Sequence, residues 1–174
     1  MPLASRSLFA LVAALAVASS LLATASPAAA AETIAYTGNF GPGTIIVQTS
    51  ERRLYLVLDG GRALRYTVGV GRAGRQWSGV SFIDGKYIRP NWSPPADVRR
   101  AQPKLPNVIP SGSAANPMGA AAMTLSGSEY AIHGTNAPGS IGGFVSYGCI
   151  RMFNQDIADL YSRVRVGTPV VVLR

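Results

Sequence analysis

Tyr130 to Met152 reads YAIHGTNAPGSIGGFVSYGCIRM and holds the only histidine of the 174-residue chain, His133, and its only cysteine, Cys149. The segment between them is rich in glycine and small residues, an irregular stretch able to fold back and bring its two ends together. A thiol is a weak nucleophile at neutral pH and a thiolate a strong one. A neighbouring imidazole takes the proton, holds the ion pair and later protonates a leaving amine. Gly148 permits a tight turn before the sulfur, and the amides around Cys149 are placed to face a developing oxyanion. The plainer alternative is a small buried cysteine and a surface histidine.

Working outward from this stretch, the flanks read mostly as strand. Upstream, Ala120–Leu125 and Tyr130–His133 form a strand pair across Ser126-Gly127-Ser128, with His133 at a strand end facing a cleft. Farther back, Leu54, Leu56 and Leu58 keep a period of two, as do Leu64, Tyr66, Val68 and Val70, with Asp59-Gly60-Gly61 between them as a hairpin turn. Thr44–Val47 and Val80–Ile83 read as further extended segments, and Glu32–Gly43 as a short strand with a turn. Asp84–Ala122 keeps neither period and carries seven prolines from Pro90 to Pro117. Trp92, Val98, Leu105, Val108 and Ile109 make it an ordered flap rather than a disordered linker. Downstream, Asn154 as N-cap, Asp156 in the first turn and the stripe Ile157, Leu160, Tyr161, Val164 predict a helix ending before Gly167. Thr168–Leu173 closes the chain as a strand.

Gly69, Gly71 and Gly74 have the spacing of a phosphate loop, but no amphipathic helix follows and no Lys-Ser/Thr pair is present, so a turn is the better reading. At the N-terminus, Arg6 precedes the apolar run Leu8–Ala25 and the small residues Ser26–Ala31. This is the pattern of a secretory signal peptide over 1–31, cleaved after Ala30 or Ala31, rather than of an anchor. It leaves a single domain over 32–174 with no membrane span. A lone cysteine in an exported chain forms no internal disulfide and is either buried or employed. The formal charge is +8, and of the 16 basic residues all but Lys86 and Lys104 are arginine. Arginine suits carboxylates and phosphates on an anionic wall polymer, a membrane surface or a nucleic acid, and export argues against the last.

Ile132-His133-Gly134-Thr135, Ile141-Gly142, Ser146-Tyr147-Gly148-Cys149-Ile150-Arg151-Met152, Asn154 and Asp156 together resemble the L,D-transpeptidase catalytic domain of the YkuD type. The resemblance extends through Trp92-Ser93-Pro94-Pro95, Asn116-Pro117-Met118-Gly119 and Gly167-Thr168. It implies a mostly β, sandwich-like domain of mixed sheets with one helix in its C-terminal half and a long Pro-rich lid. It implies a substrate, peptidoglycan, and a location in the periplasm or cell envelope. Cys149 would attack the third residue of a stem tetrapeptide and release D-Ala, and an amine acceptor would take the acyl group. That acceptor is another stem, an envelope protein or a free D-amino acid, and hydrolysis is a variant. His133 matches the base and acid, and the Gly134 carbonyl the group that orients it. Ser146 belongs to the same substrate-facing motif, and the amides of Tyr147, Gly148 and Cys149 match oxyanion donors. Arg151 either holds a substrate carboxylate or braces the loop. No metal or organic cofactor is implied. The family usually has a second histidine where this chain has Tyr147, which puts rate, pH profile or acceptor choice in question. A non-catalytic wall-binding module would be expected to have lost the Cys–His pair.

Overall fold

The computed structural model describes residues 31–174. The signal peptide expected over 1–31 lies, apart from Ala31, outside the described residues. Eleven strands are present among them: β1 Glu32–Ala35, β2 Ile45–Gln48, β3 Arg53–Leu58, β4 Arg62–Thr67, β5 Val70–Gly71, β6 Gly79–Ile88, β7 Ala121–Leu125, β8 Ala131–His133, β9 Phe144–Ser146, β10 Ile150–Arg151 and β11 Pro169–Leu173. The helices are α1 Ala96–Ala101 and α2 Asn154–Arg163.

Nine strands join in the order β1-β4-β3-β2-β11-β6-β7-β8-β10, while β5 and β9 form a small parallel pair. The β-branched run Ile45-Ile46-Val47 sits between antiparallel β3 and parallel β11, so both edges are paired and its side chains are buried. Pro169 opens β11, a position where its missing N–H is tolerated. The expected hairpin forms with Leu56 opposite Leu64 and Leu54 opposite Tyr66.

β6 is the corner of the sheet. Its first half pairs with β11 and its second half with β7, with a register shift between Ile83 and Gly85. Such a bulge bends a strand and increases its twist, which lets one sheet curl around a single core. That core takes Ile45, Leu54, Tyr66 and Val170 from one half and Met123, Leu125, Ile132 and Ile150 from the other. Ile157 and Leu160 of α2 pack into it, as the helical stripe predicts. Lys86 ties this helix to β6 by donating to the Tyr161 and Val164 carbonyls at 2.7 and 2.5 Å, a cation at a helix C-terminus.

Two expectations change. The flap does not begin at Asp84, because β6 continues to Ile88, and the flap contains the six-residue helix α1. Asn154 is not the N-cap: Phe153 holds that position without a side-chain cap bond, and the Asn154 amide is engaged elsewhere.

Candidate active site

Strand register places the two reactive side chains. β8 and β10 run parallel with Ile132 opposite Ile150 and His133 opposite Arg151. Ile132 and Ile150 are buried in the core at 0% and 2% exposure. Successive side chains alternate between faces, so His133, Arg151 and Cys149 share the other face. That face is the floor of a cavity of about 250 Å³, lined by His133, Cys149, Arg151, Ser146 and Tyr147 below. Trp92, Val98, Leu105, Ile109 and Met118 line it from the flap.

The His133 ring is 2.7 Å from the Gly134 carbonyl through Nδ1. A carbonyl only accepts, so Nδ1 carries the proton and neutral His133 has its lone pair on Nε2. Burial, and after it the Arg151 charge, lower the imidazole to about 4; the Gly134 and Pro117 carbonyls oppose this more weakly. Burial raises the Cys149 thiol, offset in part by the Ala131 amide, the Arg151 charge and its own amide. Cys149 is partly exposed as a residue and lines the same cavity. Both shifts favour thiol plus neutral imidazole. Burial thus works against the ion pair that the sequence suggests.

The turn before the nucleophile is closely tied. Ser146 is 1% exposed, and its hydroxyl accepts from Gly148 N–H at 3.1 Å and donates to Cys149 C=O at 2.6 Å. Two expectations shift accordingly. Ser146 braces the turn rather than offering its hydroxyl to a substrate, and the Gly148 N–H is engaged rather than turned to an oxyanion. Tyr147 and Cys149 remain as amide candidates. Gly148 has φ +131°, and a Cβ there would overlap the Tyr130 ring, so glycine is required twice over. Tyr147, at the family's second-histidine position, carries the Arg72 guanidinium 4.0 Å above its ring. Arg75 lies 5.7 Å from the same ring and pairs with Asp97 of α1, which connects the turn to the flap.

Arg151 forms no ion pair among the described residues, and its Nε is buried without a hydrogen-bond partner. Asn154 fixes the loop after His133: its Oδ1 accepts from Ala120 and Thr135 amides at 3.0 and 3.1 Å, and its Nδ2 donates to Thr135 C=O at 3.0 Å. A Cβ at Gly119 or Gly134 would occupy the place of that Oδ1. Sequence reasoning makes Asn154 a helix cap and a motif residue, and it gives no role to Trp77 or to the Tyr130 ring. The run His-Gly at the end of a strand was the available signal that backbone packs closely there.

A family model for the YkuD L,D-transpeptidase catalytic domain matches residues 42–172. The chain belongs to this family. It is 41% identical over 138 residues to the probable L,D-transpeptidase ErfK/SrfK of Salmonella typhimurium, covering 74% of this chain and 43% of that protein. The chain thus spans less than half the length of that relative. It is 53% identical over 58 residues, 33% of this chain and 35% of the relative, to the putative L,D-transpeptidase YkuD of Bacillus subtilis. In fold it is similar to an L,D-transpeptidase from Mycobacterium smegmatis, with TM-score 0.61 at 19% identity, over 84% of this chain and 69% of that one. The mostly β architecture with a curled mixed sheet is that of the family. Among the described residues no cluster of three or more His, Cys, Asp or Glu side chains is placed to hold a metal. No helix there is long and apolar enough to cross a membrane.

Proposed function

We propose that the chain is an L,D-transpeptidase that acts on peptidoglycan stem tetrapeptides by cysteine acyl transfer. The observation that supports this most is the shared face of β8 and β10, which turns Cys149 and His133 into one covered cavity in a chain of this family.

The Cys149 thiol gives its proton to His133 Nε2 as the sulfur attacks the carbonyl carbon of the third stem residue. A C–S bond forms and the carbonyl electrons move to oxygen, where the Tyr147 and Cys149 amides are the candidate donors. Collapse breaks the C–N bond to D-Ala, and the leaving nitrogen takes the proton from Nε2. An amine acceptor then attacks the thioester, His133 receives its proton, and the thiol is regenerated. Proton transfer is coupled to attack, because burial disfavours a separated thiolate and imidazolium. The Gly134 carbonyl stabilises the imidazolium that exists between the two transfers. Arg151, with its unpartnered Nε beside the nucleophile, holds a substrate carboxylate.

The acceptor in this reading is the side-chain amine of another stem. Residues 1–31 act as a signal peptide, and the mature domain works in the periplasm or cell envelope. The test is to incubate purified protein with tetrapeptide wall fragments, with and without envelope proteins, and to analyse products by mass spectrometry. Stem dimers lacking one terminal D-Ala are expected, and none with Cys149→Ala. Protein–stem adducts instead would assign attachment, D-Ala release without joining would assign hydrolysis, and no release at all would sink the enzymatic reading.

A further inference from the structure

We propose that Trp77 is a positioning residue for oxyanion stabilisation: its indole N–H clamps the Gly148 carbonyl and so directs the Cys149 amide at the reacting carbonyl. This rests on the acyl-transfer reading above. Trp77 Nε1 donates to Gly148 C=O at 2.9 Å. The Gly148–Cys149 peptide is trans, as are all peptides among the described residues. In a planar trans peptide the C=O and the following N–H point in opposite directions. Holding the carbonyl toward Trp77 therefore turns the Cys149 N–H away from it. Trp77 lies outside the cavity lining and Cys149 within it.

The neighbouring groups leave this peptide as the adjustable one. Ser146 Oγ already holds the Gly148 N–H on one side and the Cys149 C=O on the other. Only the middle peptide relies on a partner from outside the turn, and that partner is Trp77. The indole is itself held: it stacks on Tyr130 with centroids 5.4 Å apart and 21° between planes, and Tyr130 packs against the bare α-carbon of Gly148. Trp77 also packs against the hydrophobic core. Tyr130, Trp77 and Gly148 thus form a closed bracket behind the nucleophile. A preorganised donor of this kind needs no rearrangement when charge develops on the substrate oxygen.

The test compares two reactions of Cys149 in the full chain. Acylation by a carbapenem passes through a tetrahedral oxyanion, whereas alkylation by iodoacetamide is a displacement at carbon with no oxyanion. In Trp77→Phe, which keeps an aromatic ring against Tyr130 and loses the N–H, carbapenem acylation is expected to slow about 10- to 100-fold. Alkylation is expected to stay within about twofold, and with a tetrapeptide fragment kcat falls while KM holds. If Trp77→Phe does not fold, benzothienylalanine at position 77 replaces the N–H by sulfur and keeps the shape. Equal slowing of both reactions, or no slowing of acylation, would overturn the proposal. A wild-type protein that alkylates but never acylates would instead reject the acyl-transfer reading on which it rests.

Discussion

The two walls of the cavity are built differently. The floor, β8, β10 and the turn Ser146–Cys149, is held by strand register and by short hydrogen bonds to groups fixed in the core. The flap, from Arg89 to Met118, is mostly exposed and buries only Pro94, Val98, Ile109, Asn116 and Met118. It is held by the reciprocal Trp92–Ile109 backbone bonds, by the Asn116 amide reaching the Pro90, Ile109 and Pro110 carbonyls, and by the Arg75–Asp97 pair. Atoms that must meet a reacting carbonyl within fractions of an ångström sit on the rigid wall. The wall that must admit a polymer is tethered at a few points. Substitutions in the floor should act on kcat, and those in the flap on KM.

The largest effect that separates the walls is at the dyad. Cys149→Ala and His133→Ala are expected to lower turnover of a tetrapeptide at least about 10³-fold while the protein stays folded by circular dichroism. Next is pH. Folded His133 stays neutral down to about 4, whereas an unfolded imidazole binds its proton near 6.5. Between these values the unfolded state holds more protons, so stability falls as pH falls and about 3 kcal/mol is lost by pH 4. Asp156 acts in the opposite sense: burial raises it to about 6, so it favours the folded state at low pH and that benefit fades as pH rises toward 6. Denaturant titrations of wild type and His133→Gln across pH 4–7 isolate the histidine part, which should vanish in the variant.

Smaller effects sharpen the contrast. Gly148→Ala places a methyl on the Tyr130 ring at φ +131°; about 1–3 kcal/mol of strain and a kcat reduced about 100-fold are expected. Asn154→Ala leaves two amides and a carbonyl unpartnered beside His133, at a cost of about 1–3 kcal/mol in unfolding experiments. Arg75→Ala, on the flap side, should change stability by less than about 1 kcal/mol. It should raise KM less than about fivefold with kcat unchanged. If Arg75→Ala lowers kcat as Gly148→Ala does, the two walls are not independent.

The sheet behind the rigid wall, with β8 and the two reactive residues, was legible, whereas β10 was not. The hairpin from Leu54 to Tyr66 and the β7–β8 pair declare themselves by period two, because one face of each must be apolar. His133 and Cys149 were legible as a lone pair in a glycine-rich segment. Side chains that act on backbone were not. Asn154 suits a helix start, so local sequence cannot distinguish capping from a bond to Thr135, 19 positions away. Trp77 acts on Gly148 across 71 positions, and no local pattern encodes that contact. The second half of β6 was hidden by Asp84, Gly85 and Lys86, which look like loop residues but serve a bulge and a helix tie. In the flap, α1 is too short for a period of 3.6 to show.

The most direct test of the central claim is intact-protein mass spectrometry during turnover of a stem tetrapeptide, quenched in acid to preserve thioesters. The account predicts an added mass equal to the tetrapeptide less D-alanine, mapped to Cys149 and absent from Cys149→Ala. Transpeptidation by Cys149→Ala, or turnover by wild type with no adduct on that sulfur under trapping conditions, would contradict it.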